Sequence, residues 1–509
     1  MTTRTYTNPI LPGFHPDPSI VRVGDDYYMV NSTFQFFPAI LISHSRDLVH
    51  WETIGHAVTR SEDLDLSTLP DSFGIWAPDI SYHDGTFYIM ATLRLHGMDR
   101  VNFMVKSDRP EGPYSKPYIL NDFGLDPSHF IDDDGTHYMV YGKDGFYVQK
   151  LTDDCTEAVG DRIHIWEGTG RHSPEGPHIL RKDGYYYLII AEGGTEYGHC
   201  MTVGRSRALL GPYEPCPANP VHTQTNPDAR IQRAGHGKLV ETQNGEWWVV
   251  HLAGRPVDGS FCVLGRETCL EPVQWTEDGW FTVNGGHGPS DVQTAPDLPE
   301  TVYEQPRLDT FDSEQLPLHW QFARNPDASG WSLKERPGHM RIWTGDGDIN
   351  AIETKNVLVR REQHHRYTAS LKLEFAPQQD GEQAGLVCYY DTRCFIKLCL
   401  TFDQGLKIKL IENRARVTSE LAEISLLDPV QTVYLKVQTD RSRRMFFYSL
   451  DRENWIQAGV VEDARFLSDE GTQEKKAFTG TMVGLYAVNA GSGRRIPADF
   501  DWFQYEPAE

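Results

Sequence analysis

The sequence predicts an all-β protein: a five-bladed β-propeller over residues 1–285, a linker over 286–301 and a concanavalin- or jelly-roll-like β-sandwich over 302–509. Three observations carry this expectation. A turn-plus-aromatic-strand signature recurs five times before residue 285. Alternating apolar and polar runs follow residue 302. The composition favours short aromatic strands and tight turns, with 12 Trp, 23 Tyr and 23 Phe beside 44 Gly and 31 Pro.

The five copies are Asp25-Asp26-Tyr27-Tyr28, Asp84-Gly85-Thr86-Phe87-Tyr88, Asp134-Gly135-Thr136-His137-Tyr138, Asp183-Gly184-Tyr185-Tyr186-Tyr187 and Asn244-Gly245-Glu246-Trp247-Trp248. In the last four an Asp-Gly or Asn-Gly pair, which accepts the positive φ of a hairpin turn, precedes the strand. The second aromatics, at 28, 88, 138, 187 and 248, are spaced by 60, 50, 49 and 61 residues. That spacing suits a propeller blade of about 40–50 residues with loop insertions.

The strand before each hairpin is also marked. Stepping back from the same aromatic reaches Asp17, then Trp76 to Asp79, then Asp126, Glu175 and His236, one place per blade. If that strand is innermost, three carboxylates, a Trp and a His converge on the propeller axis. After residue 285 the repeat stops. The stretch from Gly285-Gly286-His287-Gly288-Pro289 to Pro299 reads as a linker. Beyond it, period-two runs at 367–375 and 434–437 read as half-buried sandwich strands. A linker this short predicts a sandwich permanently joined to the propeller.

Charge and cysteine usage narrow the function classes. With 48 Lys+Arg against 72 Asp+Glu the formal charge is −24, which argues against nucleic acid or an anionic membrane as partner. No apolar run approaches the about 18 residues of a membrane span. The N-terminus shows no apolar leader segment, so the expected compartment is the cytoplasm. Eight cysteines without a C-x-x-C pair read as reduced, buried side chains.

Three acids at the base of an aromatic-walled funnel match the needs of glycoside hydrolysis, where one carboxylic acid protonates the leaving oxygen and a second carboxylate activates water or attacks the sugar. No nucleophile elbow, zinc-protease, Walker or dinucleotide motif competes. The expected partner is an oligosaccharide.

At these residues the chain resembles glycoside hydrolase family 43, in its β-xylosidase and α-L-arabinofuranosidase branch with a C-terminal sandwich. The carriers include Gly13-Phe14-His15-Pro16-Asp17-Pro18-Ser19, Trp76-Ala77-Pro78, Asp126-Pro127-Ser128, Pro174-Glu175-Gly176-Pro177-His178, Ala191-Glu192-Gly193-Gly194-Thr195, Gly235-His236-Gly237 and Leu264-Gly265-Arg266-Glu267-Thr268. The resemblance implies Asp17 as general base, Glu175 as general acid and Asp126 as the carboxylate that orients the acid and holds its pKa up. It implies an arginine in the sugar site at Arg266, sugar-facing walls at Phe36, Phe37 and Trp76, and a substrate contact at Thr195. It also implies a calcium ion or water beside His236 in the propeller channel, with no cofactor required for the chemistry. A homo-oligomer is left open.

Two departures from the family's pattern bear on the sugar. Gln35-Phe36 stands where relatives usually carry Glu and an aromatic, and Asp79 stands where the Trp-Ala-Pro motif is often followed by His. Both positions are expected near the substrate. The leading expectation is an exo-acting, inverting glycosidase that releases xylose, or arabinofuranose, from short oligosaccharides. A retaining fructan hydrolase would need a Trp-Met-Asn-Asp-Pro-like nucleophile motif and a Glu-Cys acid motif, which this chain lacks. A non-catalytic sugar-binding propeller would be expected to have lost one of the three acids.

Overall fold

The computed structural model describes residues 4–472, 474 and 477–508; residues 1–3, part of the stretch read for a leader, lie outside them. Among the described residues, strands and one 3-10 turn at Asn284–Gly286 make up the regular structure. No helix is long and apolar enough to cross a membrane.

Five antiparallel sheets form five blades. Their innermost strands are Ser19–Val23, Gly74–His83, Leu125–Ile131, Glu175–Lys182 and Gln232–Glu241, which contact one another in a closed ring about the axis. Each repeat aromatic falls on the second strand of its blade: Asp26–Asn31, Thr86–Arg94, His137–Gly142, Tyr185–Glu192 and Trp247–Gly254. The Asp-Gly turns do what their residue types predict. Asp84 and Gly85 have φ of 45° and 81°, and Asp183 and Gly184 have 50° and 73°, the left-handed pair of a type I′ hairpin.

One irregularity repeats as well. In blades II to V the inner strand slips register against its neighbour near its start, between Ile75 and Pro78, Leu125 and Ser128, Glu175 and His178, and Gln232 and Gly235. A bulge of this kind re-aims a side chain. Here it lies beside Trp76, Asp126, Glu175 and His236, so the marked residues point into the funnel instead of alternating between blade faces.

Strand pairing ties the ring shut. Thr5–Thr7 pairs with Val292–Thr294, inside the stretch expected to be a linker, and Leu298 joins Ile10 and Trp248 in one apolar cluster.

The sandwich packs an eight-stranded sheet on a seven-stranded one. Arg366–Phe375 and Thr432–Asp440 pair directly, Leu371 opposite Leu435, with alternate residues buried as the period-two pattern requires. Propeller and sandwich share a core in which Phe14, Phe34 and Phe36 meet Val359, Tyr389, Phe395, Met482 and Tyr486. Phe37 and Phe322 exchange backbone hydrogen bonds of 2.9 and 2.6 Å across the boundary. At Gly265 (φ 76°) a Cβ would lie 2.7 Å from Gly480 Cα, so only glycine permits this approach. All eight cysteines are free and buried.

Candidate active site

A pocket of about 210 Å³ opens at the start of the inner strands, lined by Asp17, Phe34, Trp76, Asp126, Glu175, Thr195, His236, Arg266 and Phe478 among others. It is smaller than the about 300–1,000 Å³ of drug-sized sites. The backbone beneath it is strained where the functional side chains attach. Asp17, Asp126 and His236 hold φ of 51°, 52° and 47°, a region non-glycine residues enter at a cost of about 1–3 kcal/mol and keep where the surroundings enforce it.

Asp17 is fixed by two donors. Arg266 Nη1 lies 2.9 Å from its Oδ1, and Ser32 Oγ donates to Oδ2 at 2.5 Å. Arg266 is itself buried, and its Nη2 donates to the carbonyl of Phe478 at 2.9 Å. Asp126 Oδ2 accepts the Gly176 N–H at 3.1 Å, so this carboxyl holds the turn that carries Glu175. His236 Nδ1 stands 3.7 Å from Asp17 Oδ1 and 4.0 Å from Glu175 Oε1.

Electrostatics separates the acids. Burial, and then the negative charge of Asp17, pushes Glu175 up to about 7 against the pull of Arg266. Asp126 is raised well above the carboxylate range by burial, by Glu175 and by Asp17, in that order. Burial and the charge of Asp17 both favour a protonated Glu175. Asp126 and Glu175 resist ionising together. Burial lowers His236 to about 4, so its imidazole is neutral near pH 7.

Trp76 and Thr195 line the pocket. Trp76 Nε1 donates to the Ser72 carbonyl at 3.0 Å, and its ring meets Phe478 edge-on at 5.9 Å. Thr195 is held through its carbonyl, which accepts from Arg233 Nε at 2.5 Å, while Arg233 grips Asp469 and Glu470 of the sandwich at 2.9 Å each.

Phe36 and Phe37 do not line the pocket. Phe36 is fully enclosed in the shared core and Phe37 in the core of blades I and II; burying two large aromatic faces under the sandwich outweighs leaving them open to water. Phe34 takes the place expected of them. Gln35 is also enclosed, its Oε1 accepting the Ser72 N–H at 3.0 Å, and Asp79 sits elsewhere on the axis, bonded to Lys238, so neither departure lines the pocket. Sequence reading missed Phe34, Ser32, Phe478 and His199, whose Nε2 lies 3.8 Å from Glu175 Oε1. Phe34 lies three residues before Phe37, but Phe478 carries no local signal.

Few protein oxygens stand near His236 for the expected calcium. The oxygens near His236 Nδ1 are those of Asp17 and Glu175, whereas calcium takes six to eight. Among the described residues, the clusters with metal-ligand spacing are His129, His137, Cys155 and His339, Glu374, Asp501; neither includes His236.

An inner-strand ring that gathers three acids and an arginine above a propeller axis, capped by a sandwich, is the arrangement the family comparison bears on. Residues 6–281 match the model of glycosyl hydrolases family 43, and residues 308–506 match that of the β-xylosidase C-terminal concanavalin A-like domain. The chain belongs to glycosyl hydrolases family 43. This family 43 protein is 38% identical to a xylan 1,3-β-xylosidase from Vibrio sp, with 99% of each chain covered. It is 36% identical to a non-reducing end α-L-arabinofuranosidase, BoGH43B, from Bacteroides ovatus, over 99% of this chain and 95% of the relative. The crystal structure of BlXynB, a family 43 protein from Bacillus licheniformis, superposes with a TM-score of 0.97 at 57% identity, covering 99% of this chain and 100% of that one. The family 43 chain is thus a glycoside hydrolase acting on oligosaccharides.

Proposed function

We propose that this enzyme removes single terminal sugars from short oligosaccharides with inversion, chiefly β-1,4-linked D-xylose from xylo-oligosaccharides, with α-L-arabinofuranosidase activity on the same site. The observation that carries this reading is the small pocket in which a restrained carboxylate, Asp17, and an acid kept protonated, Glu175, both stand within 4.0 Å of one neutral imidazole. Asp17, oriented by Arg266 and Ser32, takes the proton of the attacking water. Glu175, kept protonated by burial, gives its proton to the departing oxygen. Asp126 orients the acid through Gly176 N–H. The reaction adds one water across the glycosidic bond and leaves Glu175 ionised and Asp17 protonated until solvent restores them.

Exo action is proposed from the pocket's size and from the fixed connection beside it. Residues of the blade I to II connection, Leu64, Leu66 and Leu69, pack into the propeller core, and that connection is pinned by the sandwich, Asn325 donating to the Leu64 carbonyl at 3.0 Å and Arg324 pairing with Asp71 at 2.8 Å. A pocket of about 210 Å³ suits a single terminal sugar and not the middle of a polymer. The cytoplasm is the compartment proposed, where short oligosaccharides arrive after import. Relatives at similar identity carry xylosidase and arabinofuranosidase names, which supports a pocket serving both sugars. Proton NMR of the first sugar formed from xylobiose, alongside nitrophenyl arabinofuranoside, tests the reading. α-Xylose at early times is expected. β-Xylose as first product overturns the inversion, and rapid viscosity loss on xylan overturns exo action.

A further inference from the structure

Between blades II and III, towards the hairpin end of the strands, three side chains with metal-ligand atoms meet that hydrolysis does not use. His129 comes from the inner strand of blade III and His137 from its second strand, while Cys155 lies in the turn joining its outer strands, Phe146–Leu151 and Ala158–Trp166. His129 stands three residues beyond Asp126, so about 10 Å of strand separates it from the pocket. Its Nε2 lies 3.0 Å from His137 Nδ1 and 3.8 Å from Cys155 Sγ, and the three ligand atoms all fall within 4.8 Å of one another. All three residues are buried. Cys155 shares an apolar cluster with Tyr88, Met90 and Met104 of blade II and Met139 of blade III, a shell that keeps bulk water away from the sulfur.

We propose that His129 Nε2, His137 Nδ1 and Cys155 Sγ form a zinc site that staples the Cys155 turn to the inner strand of blade III. Zinc takes imidazole nitrogen at about 2.0–2.1 Å and thiolate at about 2.3 Å, so a tetrahedral ion spaces two nitrogens about 3.3 Å apart and nitrogen from sulfur about 3.6 Å. The two pairs that involve His129 already match these spans within a few tenths of an ångström. The remaining pair needs the thiol to swing in by at most about 1.2 Å. Two imidazoles and a thiolate select zinc over calcium or magnesium, which take oxygen, and a fourth position stays open for water. The tautomers also suit the ion. Ser81 Oγ lies 2.7 Å from His129 Nδ1 and can accept its N–H, which leaves Nε2 its lone pair. His137 moves its N–H to Nε2 by exchange with solvent, and the Cys155 proton leaves to solvent as the zinc–sulfur bond forms. Burial keeps both imidazoles neutral. His83, whose ring centre is 5.5 Å from that of His137 and whose side chain is 36% exposed, marks the way in, and the carboxylates of Asp84 and Asp153 draw cations towards His137.

The test takes the tag-free full-length chain, stripped with chelator under reducing conditions, and titrates it with cobalt(II) as a visible stand-in for zinc. One equivalent is expected to bind with a thiolate-to-cobalt charge-transfer band, and added zinc should bleach that band. Zinc should also raise the melting temperature saturably, by about 2 °C or more. Cys155→Ser should lose the charge-transfer band, and His137→Gln should weaken zinc binding by about 100-fold. A folded wild type without a thiolate band overturns the proposal, and so does a band that survives Cys155→Ser or an affinity that His137→Gln leaves unchanged. If neither variant folds, X-ray absorption at the zinc edge of the loaded wild type decides. A shell of one sulfur and two imidazoles supports the site, and a shell of oxygens alone or of several sulfurs overturns it. None of these readouts involves a sugar, so the outcome is independent of which one the enzyme prefers.

Discussion

Glu175 and Asp79 sit on inner strands of the same ring, both withdrawn from water, and burial ends differently for each. Burial alone raises either carboxyl. At Asp79, a hub that meets one group from each of the other four blades, the nearby Lys238 ammonium and the His178 ring outweigh it, and the carboxyl is held well below its usual range. At Glu175 the neighbours include another carboxylate, Asp17, while the one cation, Arg266, is already bonded to that carboxylate. The acid therefore keeps its proton near pH 7. The difference teaches that partners, more than depth, set the role of a buried acid: the satisfied one holds five blades together and the frustrated one is available for proton transfer.

The sharpest way to break this comparison is to remove the hub's charge. Asp79→Asn keeps the shape but leaves the Lys238 ammonium buried without its counter-ion, and orphaning one partner of a buried pair costs about 3–5 kcal/mol. The expected result is a large fall in the denaturation midpoint. A variant as stable as wild type would mean that Asp79 and Lys238 do not depend on one another.

The pocket also differs from the hub in that the sandwich helps to build it. The Phe478 ring lines the pocket against Trp76 and Phe34, with the Arg266 guanidinium 5.9 Å from its centre, whereas the hydrogen bond that holds Arg266 goes to the backbone carbonyl. Phe478→Ala should therefore raise KM for xylo- and arabinosides by about 10-fold, the scale of lost apolar contact in a pocket, with kcat little changed. Steady-state kinetics on both substrates checks this. A collapse of kcat at constant KM would place Phe478 in the chemistry instead.

That residue marks where sequence reading stops. Five blades were legible because each repeats a turn and an aromatic strand, and Asp17, Asp126, Glu175 and His236 because each recurs at one place in the repeat. The bulges that turn them inward recur too. Phe478 belongs to no repeat and reaches the site only through the docking of a second domain, so nothing around it in the chain announces it. Phe36 and Phe37 misled for the same reason, since the surface that covers them comes from strands more than 280 residues later, at Phe322 and beyond. Asp79 was visible as a departure from the family pattern, but its meaning depended on Lys238, across the axis on the inner strand Gln232–Glu241 and 159 residues along the chain.

The smallest expected effect is the most direct measure of frustration at the pocket. A free glutamate titrates near 4.3, whereas Glu175 in the folded enzyme is pushed up to about 7, so the native state binds this proton more tightly than the unfolded chain does. Stability from this group is then fully present below about pH 4.3, declines as pH rises towards 7 and is flat beyond. Glu175→Gln removes the decline, because glutamine has no proton to lose. The variant should match the wild type near pH 4.5 and exceed it at pH 8 by about 1 kcal/mol, below the full linkage value because 22% of the Glu175 side chain is open to the pocket. Melting temperatures of the two proteins across pH 4.5–8 read this directly. A gap that stays constant with pH, or that favours the wild type at pH 8, would show that Glu175 is as well satisfied as Asp79 and that the contrast between hub and pocket does not hold.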